Sequence, residues 1–391
     1  MRASLCARQG SVTAVVELAR ELVRIGSVNP AGQDVRNNTF GEAALAGRLK
    51  ILLRNMGADE VETTYPLPGR ANVVGYFDFK AAATLIFEAH LDTVSVDGMT
   101  IDPFGGEVRN GRLWGRGACD VKGPMAAMLS AISQAKERGD AGYNVIFAAV
   151  CDEESGFSGV RYFLDHLRLE WKQNLAFAVV AEPTDLQPVV AHKGVVRWNV
   201  MVRGVAAHSS TPELGRNAIY AMAEAIRRMS EYAGELRQRP GHARLGSASL
   251  SVGTIHGGAA VNVVPELCTA HVDRRLIPGE SADAALQELK ELLWGIEGIE
   301  IGSPTVAAPA FEVAGESAAV LACLSAMRTV GETGAPQYAN YCTDASFYGE
   351  HGIEAIVFGP GSIKQAHTKD EWISTDALVR GAKAYASILG L

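Results

Sequence analysis

Glu88-Ala89-His90-Leu91-Asp92 closes the apolar run from Ala82 to Phe87. A short continuous apolar run reads as a buried β-strand. Charge and imidazole then arrive abruptly at its C-terminal end, which in open α/β sheets is where ligands bind. A His followed two residues later by an Asp suits a metal ligand and the carboxylate that orients it. His-x-Asp alone is a common pair, so the weight comes from repetition. Asn144 to Val150 is a second apolar strand and ends in Cys151-Asp152-Glu153-Glu154. Leu175 to Ala181 is a third and ends in Glu182-Pro183. Between the first two, a short hairpin over Gly105 to Trp114 leads through the Gly115–Gly123 loop, which carries Asp120, into an apolar helix over Met125 to Ala135. Taken singly, Asp120 reads equally as a helix cap, and the acids after Val150 as the decorated N-terminus of a helix. Adjacent carboxylates at the end of a buried strand are costly unless paired, solvated or metal-bound, and their recurrence favours one cluster.

A length of 391 residues implies two or more domains. Lys and Arg number 36 against 44 Asp and Glu, a net charge of −8, which argues against a general nucleic-acid binder. The six cysteines show no CxxC spacing, which fits a reduced, cytoplasmic protein better than a disulfide framework or a thiolate metal site. They read as small buried hydrophobes. Arg2 and Arg8 precede an amphipathic helix over Val12 to Ile25, interrupted by Glu17, and do not make a signal peptide. No apolar run is long enough to span a bilayer. A second helix covers Glu42 to Met56, and strands cover Glu60–Thr63 and Ala71–Phe77.

The pattern changes after residue 189. A strand over Val189 to Val202, a helix over Asn217 to Glu235, strands over Ala248–Ile255 and Leu267–Leu276 and a helix over Ala282 to Trp294 follow in turn. This β, α, β, β, α order is that of a two-layer α/β sandwich, read here as an inserted domain. Its exposed edges offer pairing to a second copy of the chain. After about Ser303 helices again alternate with short apolar strands that end in polar residues. A helix spans Ala314 to Gly331, and Cys342-Thr343-Asp344-Ala345 follows, with Asp344 either a pocket residue or a cap. A strand over Glu354 to Phe358 leads to Gly359-Pro360-Gly361-Ser362 and to His367 beside Asp370 and Glu371, and a helix over Asp376 to Leu389 closes the chain. The fold class is therefore α/β: a mixed sheet with flanking helices over 1–189 and 304–391, with the inserted sandwich over 190–303.

His90, Asp120, Glu154, Glu182 and His367 offer two imidazoles and three carboxylates, a donor set for a pair of divalent first-row metals. Zinc is the leading candidate, with cobalt or manganese as alternatives. Two such ions about 3.5–4 Å apart, bridged by one carboxylate, activate a water and polarise a carbonyl oxygen. A free carboxylate is then needed to take and return a proton. Glu153 and Glu154 are adjacent, so one can bind metal while the other faces the water; spacing alone leaves open which. Of the remaining histidines, His166, His192, His242, His256, His271 and His351 read as surface or core residues.

Five motifs in order, His90-x-Asp92, Gly115-Arg-Gly-x-x-Asp120-x-Lys122-Gly123, Asp152-Glu153-Glu154, Glu182-Pro183 and Ala366-His367-x-x-Asp370-Glu371, resemble those of the M20 metallopeptidases. The resemblance covers nearly the whole chain. It implies a zinc-peptidase-like catalytic domain and an inserted lid and dimerisation domain. It implies that His90 and Glu182 bind one zinc and Glu154 and His367 a second, with Asp120 bridging. By the same resemblance Glu153 is the general base, Asp92 orients His90, and His208 in His-Ser-Ser steadies the oxyanion in a neighbouring subunit's site. Asn262, Arg275 and Gly361 match substrate-binding positions, with Arg275 suited to gripping a carboxylate; Arg274 is the alternative, since successive strand residues face opposite sides. Cys151 departs from the Thr that often precedes the Asp-Glu-Glu run.

The Gly-Pro-Gly-Ser segment and the Ala-His-x-x-Asp-Glu ending look most like acetylornithine deacetylase. The expected activity is removal of a small acyl group from an N-acyl amino acid or similar amine, by a homodimer that binds no nucleic acid and no membrane. Succinyl-diaminopimelate desuccinylase, an N-formyl aminopyrimidine deformylase and a carboxypeptidase are alternatives within the resemblance. A non-catalytic metal-binding protein and an aminopeptidase without a lid are the rivals outside it; the intact ligand set and Glu153 disfavour the first, and residues 190–303 the second.

Overall fold

The computed structural model describes residues 12–31 and 40–391. Arg2, Arg8 and Cys6 lie outside the described residues. The chain divides into two compact units, one formed by Met1–Val190, Val313–Gln337 and Thr343–Leu391, the other by Ala191–Glu312 and Tyr338–Cys342.

The first unit is a mixed α/β layer. Its main sheet includes β1 (Glu60–Leu67), β2 (Arg70–Phe77), β3 (Thr84–His90), β4 (Asn144–Val150), β5 (Leu175–Val180) and β6 (Ala355–Val357), set side by side as β1-β2-β4-β3-β5-β6. The β1–β2 hairpin joins β4 antiparallel, whereas β4, β3, β5 and β6 run parallel. Register brings their C-terminal ends level: His90 lies opposite Val150, and Val180 opposite both Glu88 and Val357. Parallel strands are buried on both faces, which accounts for the continuous apolar runs. Leu85, Phe87 and Ala89 of β3 join a core that includes Phe147, Phe177, Leu22, Met125, Leu129 and Leu378. Side chains alternate along a strand, so Glu88 and His90 leave the opposite face.

Helix boundaries follow local chemistry. The helix expected from Met125 begins at Lys122 and runs to Arg138, where Gly139 takes a left-handed φ of 74°. The helix expected from Ala314 begins at Ala318, because Ser317 caps it by accepting the Val320 N–H at 3.4 Å.

The second unit is a two-layer sandwich. Gly194–Arg203 lies centrally in its sheet, with Leu267–Leu276 antiparallel beside it and Ser249–Gly257 outermost; Ile299–Ile301 and Val306–Ala308 pair on the other side. Val196, Trp198, Val200 and Val202 are buried, while Arg197, Asn199 and Arg203 are exposed. The helices Ala218–Gln238 and Ala282–Leu293 cover the apolar face through Met222, Met229, Leu289 and Leu293. The single strand expected over 189–202 is two, Val189–His192 and Gly194–Arg203. The chain passes so close to another segment that a Cβ at Gly194 would meet the Ala310 nitrogen at 2.5 Å.

Candidate metal centre

The level ends of β3, β4 and β5 bring the acids and imidazoles of three separate chain segments to one edge of the sheet. His90 ends β3 and is 2% exposed. Its Nδ1 lies 2.9 Å from the main-chain oxygen of Asp92. A carbonyl can only accept, so Nδ1 carries the proton and Nε2 is the atom presented to the site. Nε2 lies 3.0 Å from Asp120 Oδ1. Asp120 Oδ2 is 3.3 Å from His367 Nε2, which is in turn 3.2 Å from Glu154 Oε1. Ligand atoms of His90, Asp120 and Glu154 all fall within 4.8 Å of one another. Glu153 and Glu182 are buried beside this group and lie within electrostatic range of it.

Burial drives the carboxyls of Glu153 and Glu182 well above the usual carboxylate range, and neighbouring acids add to the push. Burial opposes a charged His90, yet its bond to Asp120 and the nearby Glu153 outweigh it and hold the imidazole well above its ordinary pKa. His367 is raised to about 10 by Asp120 and Glu154. Asp120 goes the other way, since its bonds to His367 and His90 overcome burial. With neutral imidazoles, Asp120, Glu153, Glu154 and Glu182 would carry four uncompensated charges in a largely buried cluster. Two divalent cations would cancel that charge, and the mixed carboxylate–imidazole donor set suits first-row metals. The residues present therefore fit a metal pair.

Asp120 is not a helix cap: Val121 precedes the helix, and no side chain caps it. The loop that carries Asp120 is fixed by a carboxylate from far along the chain. Glu371 Oε1 accepts the N–H groups of Cys119 (2.7 Å) and Asp120 (2.9 Å); Oε2 accepts those of Gly117 (3.0 Å) and the Arg116 guanidinium (2.8 Å). Gly117 has φ +82°, and a Cβ there would lie 2.9 Å from Lys122 Cδ.

Asp92 meets His90 and the acidic turn through different atoms. Its carboxylate stands 3.8 Å from His90 Nδ1, the main-chain oxygen having taken that bond. Oδ1 and Oδ2 instead accept the N–H groups of Glu153 and Glu154, each at 3.1 Å. Asp344 makes no capping bond either. Its carboxyl is wholly buried beside that of Glu88, and neither meets a donor from any other described residue. Burial pushes Glu88 up to about 8. Gly361 packs so tightly that a Cβ would lie 2.7 Å from Cys119 Sγ.

His208, Asn262 and Arg275 lie in the second unit. His208 Nδ1 is 2.7 Å from Ser210 Oγ, and the Ser209 N–H donates to the Asn262 oxygen at 3.1 Å, so these two segments are neighbours. Arg275 Nε donates to Asp273 Oδ1 at 2.8 Å, while Arg274 is buried and paired with Glu280 at 2.7 Å. His192 is buried against Phe311. Cys119, Cys151, Cys268 and Cys323 are buried free thiols. Among the described residues no helix is long and apolar enough to cross a membrane. Sequence reasoning missed Glu371, Arg116 and Arg70; Glu371 and Arg116 each stand in a quoted motif, with His367 and with Asp120, whereas Arg70 carried no signal.

The model of peptidase family M20/M25/M40 matches residues 86–390. Acetylornithine deacetylase of Proteus mirabilis is 30% identical over 368 residues, covering 92% of this chain and 91% of that protein. A tripeptidase from Staphylococcus aureus superposes with a TM-score of 0.78 at 22% identity, over 97% of this chain and 98% of that one. An M20 family metallo-carboxypeptidase from Sulfolobus solfataricus gives 0.78 at 21% identity, over 96% and 98%.

Proposed function

The chain belongs to peptidase family M20/M25/M40, and from that premise we propose that this metallohydrolase removes a small acyl group from an N-acyl amino acid or similar amine, as acetylornithine deacetylase does. The observation that carries the reading is the donor cluster of His90, Asp120 and Glu154 at the ends of parallel strands, joined by His367. His90 and Glu182 would hold one divalent ion and Glu154 and His367 a second, with Asp120 shared by both. Zinc is the ion proposed. When bound, the pair lowers the pKa of a water and polarises the amide carbonyl.

Glu153 is the general base. Its burial beside other acids suits a group that holds a proton between two steps. It takes a proton from the water as the new C–O bond forms. It returns that proton to the nitrogen as the C–N bond breaks, leaving a carboxylic acid and a free amine. Asp92 aims Glu153 by holding its main-chain N–H. His208 steadies the oxyanion in a neighbouring subunit's site, Asn262 and Arg275 are substrate-binding residues, with Arg275 suited to a carboxylate, and Gly361 lines the pocket. The Ser249–Gly257 strand, at the edge of its sheet with Ile255 exposed, supports pairing of two copies into a homodimer. The free thiols support a cytoplasmic setting.

A zinc-reconstituted panel tests the reading, with released amine measured. It contains N-acetylornithine, other N-acetyl, N-formyl and N-succinyl amino acids, a blocked dipeptide and a formamidopyrimidine. The expected result is one preferred N-acyl amino acid, with turnover lowered about 10²–10⁴-fold in Glu153→Ala. Two bound metals with no turnover of any compound would sink it.

A further inference from the structure

Behind the acidic turn lies a buried cation that the reaction above does not use. Arg70 opens β2 and is 7% exposed. Its Nε donates to Glu42 at 3.0 Å (Oε1) and 2.8 Å (Oε2), and Nη2 also bonds Glu42. Nη1 donates to Asp152 Oδ1 at 2.8 Å, and Nη2 stands 3.9 Å from Asp92 Oδ2. Asn29 Nδ2 ties the cluster by donating to Asp92 Oδ2 at 2.6 Å. The guanidinium therefore faces both anchors of the segment that bears Glu153 and Glu154. Asp92 holds their N–H groups, and Asp152, immediately before them, sits at a left-handed φ of 71°. A residue other than glycine rarely holds that conformation without surrounding contacts to impose it. Here the Asp152 carbonyl accepts the Gly156 N–H at 3.0 Å, and its Oδ2 accepts the Ser158 hydroxyl at 2.6 Å. Glu42, Asp92 and Asp152 are all buried, and Arg70 is the one cation that meets all three in these contacts.

We propose that Arg70 is a positioning residue of the metal centre: by holding Asp92 and Asp152 together it sets the direction in which Glu153 and Glu154 leave the end of β4. The inference rests on the reading of Glu153 as base and Glu154 as metal ligand. A guanidinium is suited to the task because its planar fork serves carboxylates on different edges at once, whereas an ammonium is a point charge. The alternative is a purely structural pair, Arg70 with Glu42, tying the Ala43–Asn55 helix to β2. That role would move thermal stability and leave metal affinity unchanged.

Arg70→Lys keeps the charge and removes the fork. The experiment strips the full chain of metal, titrates zinc by calorimetry and compares steady-state kinetics with the wild type. The expected result is a folded variant whose second zinc equivalent binds about 10–100-fold more weakly, the range seen when outer-shell partners are lost. kcat falls by a similar factor while KM changes less. Wild-type affinity for both zincs, with unchanged kcat, overturns the inference while leaving the metallohydrolase reading intact. A wild-type chain that takes up no zinc overturns that reading and the inference with it. If Arg70→Lys does not fold, Arg70→Gln with Glu42→Gln keeps a neutral hydrogen-bonded pair and is judged by the same two readouts.

Discussion

The carboxylate of Glu371 accepts the main-chain N–H of Asp120 at 2.9 Å, across 251 residues of sequence. One buried side chain thus ties the C-terminal segment, four residues beyond His367, to the loop that presents the carboxylate between the two imidazoles. The same group accepts three other donors, including the buried Arg116. Glu371→Ala removes the partner of three N–H groups and the anion paired with that guanidinium, which keeps only its bonds to the Ser95 oxygen. Breaking a buried pair in this way costs about 3–5 kcal/mol. The urea midpoint should fall accordingly, and zinc affinity should fall with it, because Asp120 loses its anchor. A variant with unchanged urea midpoint and zinc binding would show that the loop holds itself.

Removal of metal should make stability depend on pH in a defined direction. His367 is raised from 6.5 to about 10 by its bonds to Asp120 and Glu154. A group raised on folding contributes stability that is complete below its unfolded pKa and is lost as pH climbs through its folded value. Glu153 and Glu182, driven up chiefly by burial, act with the same sign. The metal-free protein should therefore melt at progressively lower temperature between about pH 6.5 and pH 10. Zinc replaces the retained protons, so its stabilising effect should grow over that range. Differential scanning fluorimetry with and without a chelator checks both slopes. A metal-free melting temperature that rises with pH would contradict the charge account of the site.

Much of the site is legible in the sequence because parallel strands make their ends conspicuous. β3, β4 and β5 must be apolar throughout to lie between two layers, so the sudden His90, Asp152-Glu153-Glu154 and Glu182 stand out against them. The mixed sheet with its flanking helices follows from the same runs. Glu371 stands in a motif without a visible task, because accepting N–H groups from residues 116–120 leaves no trace in local spacing. Arg70 is silent for a related reason: its partners, Glu42, Asp92 and Asp152, come from three separate segments. The break at Lys193 is hidden because Val189–His192 and Gly194–Arg203 are both apolar and β-prone. They belong to different sheets, and the chain is closely packed at Gly194 where one ends and the other begins.

Asp92 offers a separation of roles that no sequence pattern could supply. Its main-chain oxygen receives Nδ1 of His90, and its carboxylate receives the N–H groups of Glu153 and Glu154. Replacing the side chain leaves the first bond and removes the second pair. Asp92→Ala should therefore retain the ion held by His90 and weaken the one held by Glu154, by about 10–100-fold as for other outer-shell losses. If the carboxylate instead oriented His90 directly, the His90 ion would be lost first. Histidine-to-metal charge-transfer and d–d bands in a stepwise cobalt titration, compared between Asp92→Ala and His90→Ala, distinguish the two. A first cobalt equivalent that binds Asp92→Ala as tightly as wild type, followed by a weakened second, is the expected pattern. Loss of the first equivalent in Asp92→Ala, matching His90→Ala, would return the carboxylate to the role of imidazole partner.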